Sequence, residues 1–298
     1  MSRPTRETAA GRAYLDLQAR ARREGRPTDE IFVLYVLERF LFRLSRSPHR
    51  QRVVLKGGML LAALDERRPT RDVDLLARAT ENDVESVASL VREILLVEVD
   101  DGVTYDIDRL IAEVIRDEAL YPGVRVVVPA WVHRAEQRLR VDVNVGDPVT
   151  PSPLEIEYPA LLDAPFVVLG YPLETVLSEK IVTMVDRGDT TTRERDFADV
   201  VLLTRRHFVD AAELRRAIEA TSRHRQSELR GLADVIGALG RARQGAWERF
   251  LDRSGLTGSL PEDFEEAIEA LVRFADPILT GSVTAGRWLP SDQTWLAE

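Results

Sequence analysis

Between Val53 and Ala77 the chain reads VVLKGGMLLAALDERRPTRDVDLLA, and this run constrains the fold more than any other. A short apolar strand, Arg52 to Leu55, leads into the glycine pair Gly57 and Gly58. A helix from Met59 to Leu64 and a second strand from about Asp72 to Leu76 follow. Side chains at i and i+2 of a strand point to the same side, so Asp72 and Asp74 aim two carboxylates at one spot while Val73 faces the other way. They are either solvated charges at a strand end or ligands of a shared cation. Hard oxygen donors suit Mg²⁺, which takes one or two carboxylates and completes its shell with water and substrate phosphates. The preceding corner favours the second reading, because backbone N–H groups at a helix N-terminus are unpaired and carry partial positive charge that attracts anions.

The flanking pattern predicts an α/β (α+β) protein in three parts: N-terminal helices over residues 1–50, a mixed-sheet core over 51–170 and a helical domain over 171–298. The first helices span Arg6 to Arg23 and Asp29 to Ser45, with Thr28 as N-cap before Ile31, Leu34, Tyr35, Leu37 and Leu41. Thr80 is expected to cap the helix in ENDVESVASLVREILL. Strands dominate from Val103 to Leu169. In LRVDVNVGD the valines 141, 143 and 145 alternate with Arg140, Asp142 and Asn144, so one face is core and the other polar. If this strand lies beside the first aspartate strand, Asp142 is the natural third carboxylate. Beyond Pro172, at the first helical position of PLETVLSEKIVTMVDR, the pattern is helical throughout. Helices are expected at Thr192 to His207, Asp210 to Ser222, Ser227 to Gly240, Ala246 to Ser254 and Glu262 to Phe274, and then an irregular tail anchored by Trp288 and Trp295.

Composition narrows the setting. The apolar runs are far short of the roughly 20 residues of a membrane span, the N-terminus lacks an apolar signal core, and there is no cysteine, which together point to a cytoplasmic protein. A net charge of −9 argues against a surface coated with nucleic acid. Of 41 basic residues only Lys56 and Lys180 are lysine. Arginine is a planar fork and lysine a compact point charge, so the two are not equivalent against a phosphate. Arg205, Arg206, Arg215, Arg216, Arg223, Arg225, Arg230, Arg241 and Arg243 crowd into one stretch. They form either a phosphate-tracking surface or a solvated helical face.

A second constellation lies in LETVLSEKIVTMVDRGDTTTRERDFADV, Leu173 to Val200. Lys180 is either a surface lysine paired with Glu179 or Asp186, or a functional cation. Asp196 and Asp199 share a helix face at i and i+3, flanked by Arg193 and Arg195. Together the ordered motifs resemble the AbiEii nucleotidyltransferase toxin family, the toxin half of type IV toxin–antitoxin modules, which includes the mycobacterial MenT toxins. The match runs from Val53 to Val200 through Lys56-Gly57-Gly58, Arg68-Pro69-Thr70-Arg71-Asp72-Val73-Asp74, Asp142, Glu174 through Lys180, and Arg193-Glu194-Arg195-Asp196-Phe197-Ala198-Asp199-Val200. Ala198 stands where many members have tyrosine and Thr70 where many have serine; neither change removes a metal ligand.

The resemblance implies a nucleotidyltransferase-superfamily core and a Mg²⁺-dependent enzyme, with Mn²⁺ as a substitute and a two-metal site. Asp72, Asp74 and Asp142 are the implied metal ligands. Lys56, Gly57, Gly58, Thr70 and Lys180 are the implied nucleotide-binding residues. Asp72, Asp74, Lys180, Asp196 and Asp199 form the implied catalytic set, in which Asp196 or Asp199 orients Lys180 or the acceptor. An NTP is the implied substrate, RNA the acceptor, most plausibly the 3′ end of tRNA, with a cognate antitoxin as partner and a block of translation as outcome. Phosphorylation of Thr70 by an antitoxin would set its charge against the nucleotide. Transfer to a small molecule or a protein side chain is the alternative chemistry, and a non-catalytic binding module the alternative class. A metal-dependent hydrolase fits less well, since His49, His133, His207 and His224 lie outside the acidic motifs.

Overall fold

The computed structural model describes residues 3–64, 69–115, 123–237 and 239–296, so Arg68 of the motif lies outside the described residues. The chain divides into two compact units, Met1–Gly146 with Leu154–Gly170, and Asp147–Pro153 with Tyr171–Glu298. Among the described residues no helix is long and apolar enough to cross a membrane.

The first unit opens with α1 (Ala9–Glu24) and α2 (Thr28–Arg46) and continues with β1 (Val53–Lys56), α3 (Gly57–Leu61), β2 (Val73–Ala77) and α4 (Val84–Leu95). The remaining strands are β3 (Val103–Tyr105), β4 (Ile111–Ile115), β5 (Gly123–Val132), β6 (Ala135–Val145), β7 (Leu154–Tyr158) and β8 (Phe166–Gly170). They form one mixed sheet in the order β3-β5-β6-β2-β1-β8-β7, with β4 also paired to β5. β2 runs parallel to β6 and β1 parallel to β8, while the other pairs are antiparallel. β5 is long enough to hold β3 along Ala130 to Val132 and β4 along Gly123 to Val127.

The sheet forms because its strands alternate as a half-buried surface requires. Val124, Val126, Val128, Ala130 and Val132 of β5 and Leu139, Val141 and Val143 of β6 are buried, each valine or leucine side chain contributing about 1.5–3 kcal/mol when fully withdrawn from water. α2 packs on β6 and β8 and is buried on more than one face. Its charged residues survive there by pairing: Arg39 donates to Glu38 and Asp163, each at 2.6 Å, and Arg43 reaches Asp101 at 2.6 Å.

Three local expectations for this unit are corrected. The helix after β1 begins at Gly57 itself, so the glycine pair is its first turn, and it tightens into a 3-10 turn over Ala62–Leu64. Thr80 caps nothing. Asp83 is the N-cap of α4, its carboxylate accepting from the backbone of Glu85 and Ser86, both at 2.9 Å, because an ionised Asp with two free donors ahead outcompetes a hydroxyl farther upstream. Thr28 is the first residue of α2, with Pro27 at the cap position and no side-chain cap bond.

The second unit comprises α5 (Leu173–Arg187), α6 (Glu194–Arg206), β9 (Val209–Asp210), α7 (Ala211–Arg225), α8 (Leu232–Ile236), α9 (Leu239–Ser254), α10 (Phe264–Leu279), β10 (Arg287–Leu289) and β11 (Thr294–Leu296). Pro172 sits at the N-cap of α5 rather than inside it. The expected Ser227 to Gly240 helix shrinks to α8, and the tail is a hairpin whose β10 also pairs with β9. Trp288 and Trp295 do anchor it: their indole N–H groups donate to the Thr204 and Phe274 carbonyls at 2.7 and 2.9 Å, and both rings pack on Phe274.

Candidate active site

In the first unit the strand pairing assembles the predicted acidic residues. β2 and β6 run in register with Asp74 opposite Asp142, and β1 and β2 with Lys56 opposite Asp74. Directly paired residues lie on the same face of a sheet, so Lys56, Asp74 and Asp142 share one face. Asp72, two residues before Asp74, precedes the strand on the same side. Both are half-buried.

Gly57 explains how Asp74 fits. Its φ is +66°, a left-handed value, and a Cβ built there would stand 1.9 Å from Asp74 Oδ2 and 2.7 Å from Asp74 Cβ. Only a residue without a side chain lets β1 turn into α3 this close to the aspartate strand. Thr70 is buried and its hydroxyl donates to Asp72 Oδ1 at 3.0 Å, fixing that carboxylate from the loop side.

Arg125 was not among the residues the sequence singled out. It stands opposite Asp142 in the β5–β6 register and grips it with a two-pronged bridge, Nε to Oδ1 at 2.8 Å and Nη2 to Oδ2 at 2.6 Å. Its pKa is raised, first by this hydrogen bond, against desolvation, and further by the charges of Asp142, Asp72 and Glu113. With Asp142 so engaged, no three carboxylate or histidine side chains converge as a ready metal cage among the described residues. Asp72 and Asp74 still offer the hard oxygen donors that Mg²⁺ takes in ones and twos, and the bare Cα of Gly57 is what lets the Asp74 carboxylate fit there.

The second unit holds a constellation of its own. Lys180 on α5 donates to Asp196 Oδ1 at 2.9 Å and Asp199 Oδ2 at 2.7 Å on α6. The i, i+3 spacing presents both carboxylates to one ammonium, so Lys180, only 14% exposed, pairs across helices. Burial, the largest influence on Asp196, pushes its pKa up. The charge and hydrogen bond of Lys180, with Arg195 and Arg193, outweigh it and hold the carboxyl below the usual range.

The arginine stretch is largely matched by local acceptors. Arg215 pairs with Glu219, Arg216 with Glu213, Arg230 with Glu228 and Arg243 with Glu194. Arg225 donates to Glu179 O and Thr183 Oγ1, and Arg205 to Ser259 O. A cavity of about 910 Å³ beside α9, lined by Glu248, Asp252, Glu262 and Glu265 among others, contains none of the predicted site residues.

A family model described as nucleotidyl transferase AbiEii toxin, type IV TA system, matches residues 39–270. Among solved structures the chain is similar to MenT4, a nucleotidyltransferase toxin from Mycobacterium tuberculosis H37Rv, at 17% identity and a TM-score of 0.51, over 91% of this chain and 98% of that one. At that identity the likeness shows the fold. JHP933 from Helicobacter pylori matches at 14% identity with a TM-score of 0.46, over 84% of this chain and 94% of that one. No curated protein matches the sequence.

Proposed function

The chain belongs to the AbiEii nucleotidyltransferase toxin family of type IV toxin–antitoxin systems, and from that premise we propose that it transfers a nucleoside monophosphate from an NTP to the 3′ end of an RNA, tRNA foremost, with Mg²⁺ at Asp72 and Asp74. The observation that carries the reading is the register that sets Lys56, Asp74 and Asp142 side by side on one face, with Gly57 cleared of any side chain against Asp74.

In this reaction the acceptor hydroxyl oxygen bonds to the α-phosphorus and the bond to the pyrophosphate oxygen breaks. Mg²⁺, when bound, supplies Lewis-acid stabilisation of the transferring phosphoryl group. The chain's own residues do the rest. Thr70 orients the Asp72 carboxylate, and Gly57 and Gly58 let backbone amides approach the phosphates. Lys180, ordered by Asp196 and Asp199, is a compact cation suited to a triphosphate. The choice of RNA rests on the family, since four of the nine arginines crowded between 205 and 243 are already paired with glutamates. A cytoplasmic location and an antitoxin partner belong to the same proposal.

The test incubates the purified chain with Mg²⁺, total tRNA and each labelled NTP in turn, and resolves the RNA on a denaturing gel. Label on tRNA that disappears in Asp72→Ala is expected. Label retained in Asp72→Ala overturns the metal assignment, and label on no RNA with any nucleotide overturns the RNA acceptor.

A further inference from the structure

Five strands contribute one residue each to a continuous row: Lys56 of β1, Asp74 of β2, Asp142 of β6, Arg125 of β5 and Glu113 of β4. The charges alternate at every step but one. Asp74 and Asp142 are like charges directly opposed, an arrangement that destabilises a sheet unless a cation relieves it. Arg125 occupies both oxygens of Asp142 in a planar fork, the strongest side-chain geometry for a carboxylate. The Arg125 side chain is 31% exposed and that of Asp142 only 11%, so the fork lies over the carboxylate and shields it from solvent. The Asp74 carboxylate lies outside that fork and packs against Gly57.

We propose that Arg125 is a resident counter-cation that keeps Asp142 out of the metal's ligand set, leaving a two-carboxylate centre of Asp72 and Asp74 that binds a divalent cation weakly until nucleotide phosphates complete the shell. The inference deepens the transfer reading and rests on its metal assignment. Its physical content is a charge count. Three ionised carboxylates together would hold a bare divalent cation between turnovers; with Arg125 in place the local charge drops by one, and affinity depends on the substrate's own oxygens. Arg125 is thus a positioning residue that acts through Asp142. Glu113 flanks its other side and reinforces its charge.

Mn²⁺ binding to the full chain without nucleotide, measured by electron paramagnetic resonance, tests this. Arg125→Gln is expected to tighten binding about tenfold, because Asp142 is released to the metal. Asp142→Asn alone leaves the Arg125 charge uncompensated beside Asp72 and Asp74 and is expected to weaken binding about tenfold, and Arg125→Gln with Asp142→Asn, which removes both charges, returns it to the wild-type value. Unchanged or weaker binding in Arg125→Gln overturns the proposal, as does a double variant that binds much more weakly than wild type, which would make Asp142 a ligand. Asp74→Ala separates the two levels: if it binds Mn²⁺ like wild type, the metal assignment itself fails. If it loses Mn²⁺ while Arg125→Gln changes nothing, only the role of Arg125 fails.

Discussion

Replacing Gly57 by alanine separates backbone strain from the close approach of Asp74, and the chain carries its own control. Gly25, at the C-terminus of α1, has φ +63° with nothing within 4 Å of a built Cβ. Gly25→Ala therefore reports the left-handed cost alone, about 1–2 kcal/mol. Gly57→Ala carries the same backbone cost at φ +66° plus a collision at 1.9 Å with Asp74 Oδ2 and at 2.7 Å with Asp74 Cβ. Rotating the carboxylate away does not relieve the Cβ contact, so β2 itself must shift, at a further cost of about 1–3 kcal/mol as in an overpacked core. The expected losses are about 2–5 kcal/mol for Gly57→Ala against about 1–2 for Gly25→Ala, read from urea unfolding followed by far-UV circular dichroism. Transfer activity should vanish in Gly57→Ala and persist in Gly25→Ala. Equal destabilisation of the two variants with activity intact in both would refute the argument that this glycine exists to admit Asp74.

The second unit supplies the other predictions. Lys180 is 14% exposed between Asp196 and Asp199, at 9% and 0%, so Lys180→Met strands two carboxylates. It should lower stability by about 3–5 kcal/mol in urea unfolding, largely recovered by adding Asp196→Asn and Asp199→Asn without recovery of transfer. Asp196, held below its ordinary 3.8, contributes stability that is present above that value and lost as pH falls through its folded value. The wild-type melting temperature should accordingly drop as the pH is taken below about 4, and drop less in Lys180→Met. Glu174 has the opposite sign: burial, then Glu213 and Asp210, raise it against its own backbone hydrogen bond, so ionising it costs stability above its ordinary 4.5. Glu174→Gln should melt higher than wild type near pH 7 and converge with it in acid; a gap independent of pH would contradict the assignment. Trp288, 2% exposed and bonded to the Thr204 carbonyl, should cost about 3–5 kcal/mol on truncation to alanine, seen in the same unfolding assay.

The residues of the site were evident from local chemistry. An aspartate pair at i and i+2, a glycine pair after an apolar strand, and aspartates at i and i+3 on a helix each declare a shared direction without reference to the rest of the chain. Valine alternation marked β6, and the placement of Asp142 beside Asp74 followed once β6 chose β2 as its partner. That choice of partner belongs to the tertiary structure. Arg125 shows why: it meets Asp142 only because a two-residue turn at His133 and Arg134 pairs Val132 with Ala135 and carries the register back to 125 and 142. His133 takes a left-handed φ of 54° there, without the Asn-Gly or Gly-X signal by which such turns announce themselves. The same holds for Lys180, whose partners lie 16 and 19 residues away on the next helix, and for the arginines, whose glutamates decide whether a run of positive sequence becomes a positive surface. Periodicity and charge type are properties of neighbouring residues, so the sequence alone determined which groups are polar, paired or turned. Which carboxylate meets which cation depends on strand order and helix packing, and those are set by burying the whole core at once.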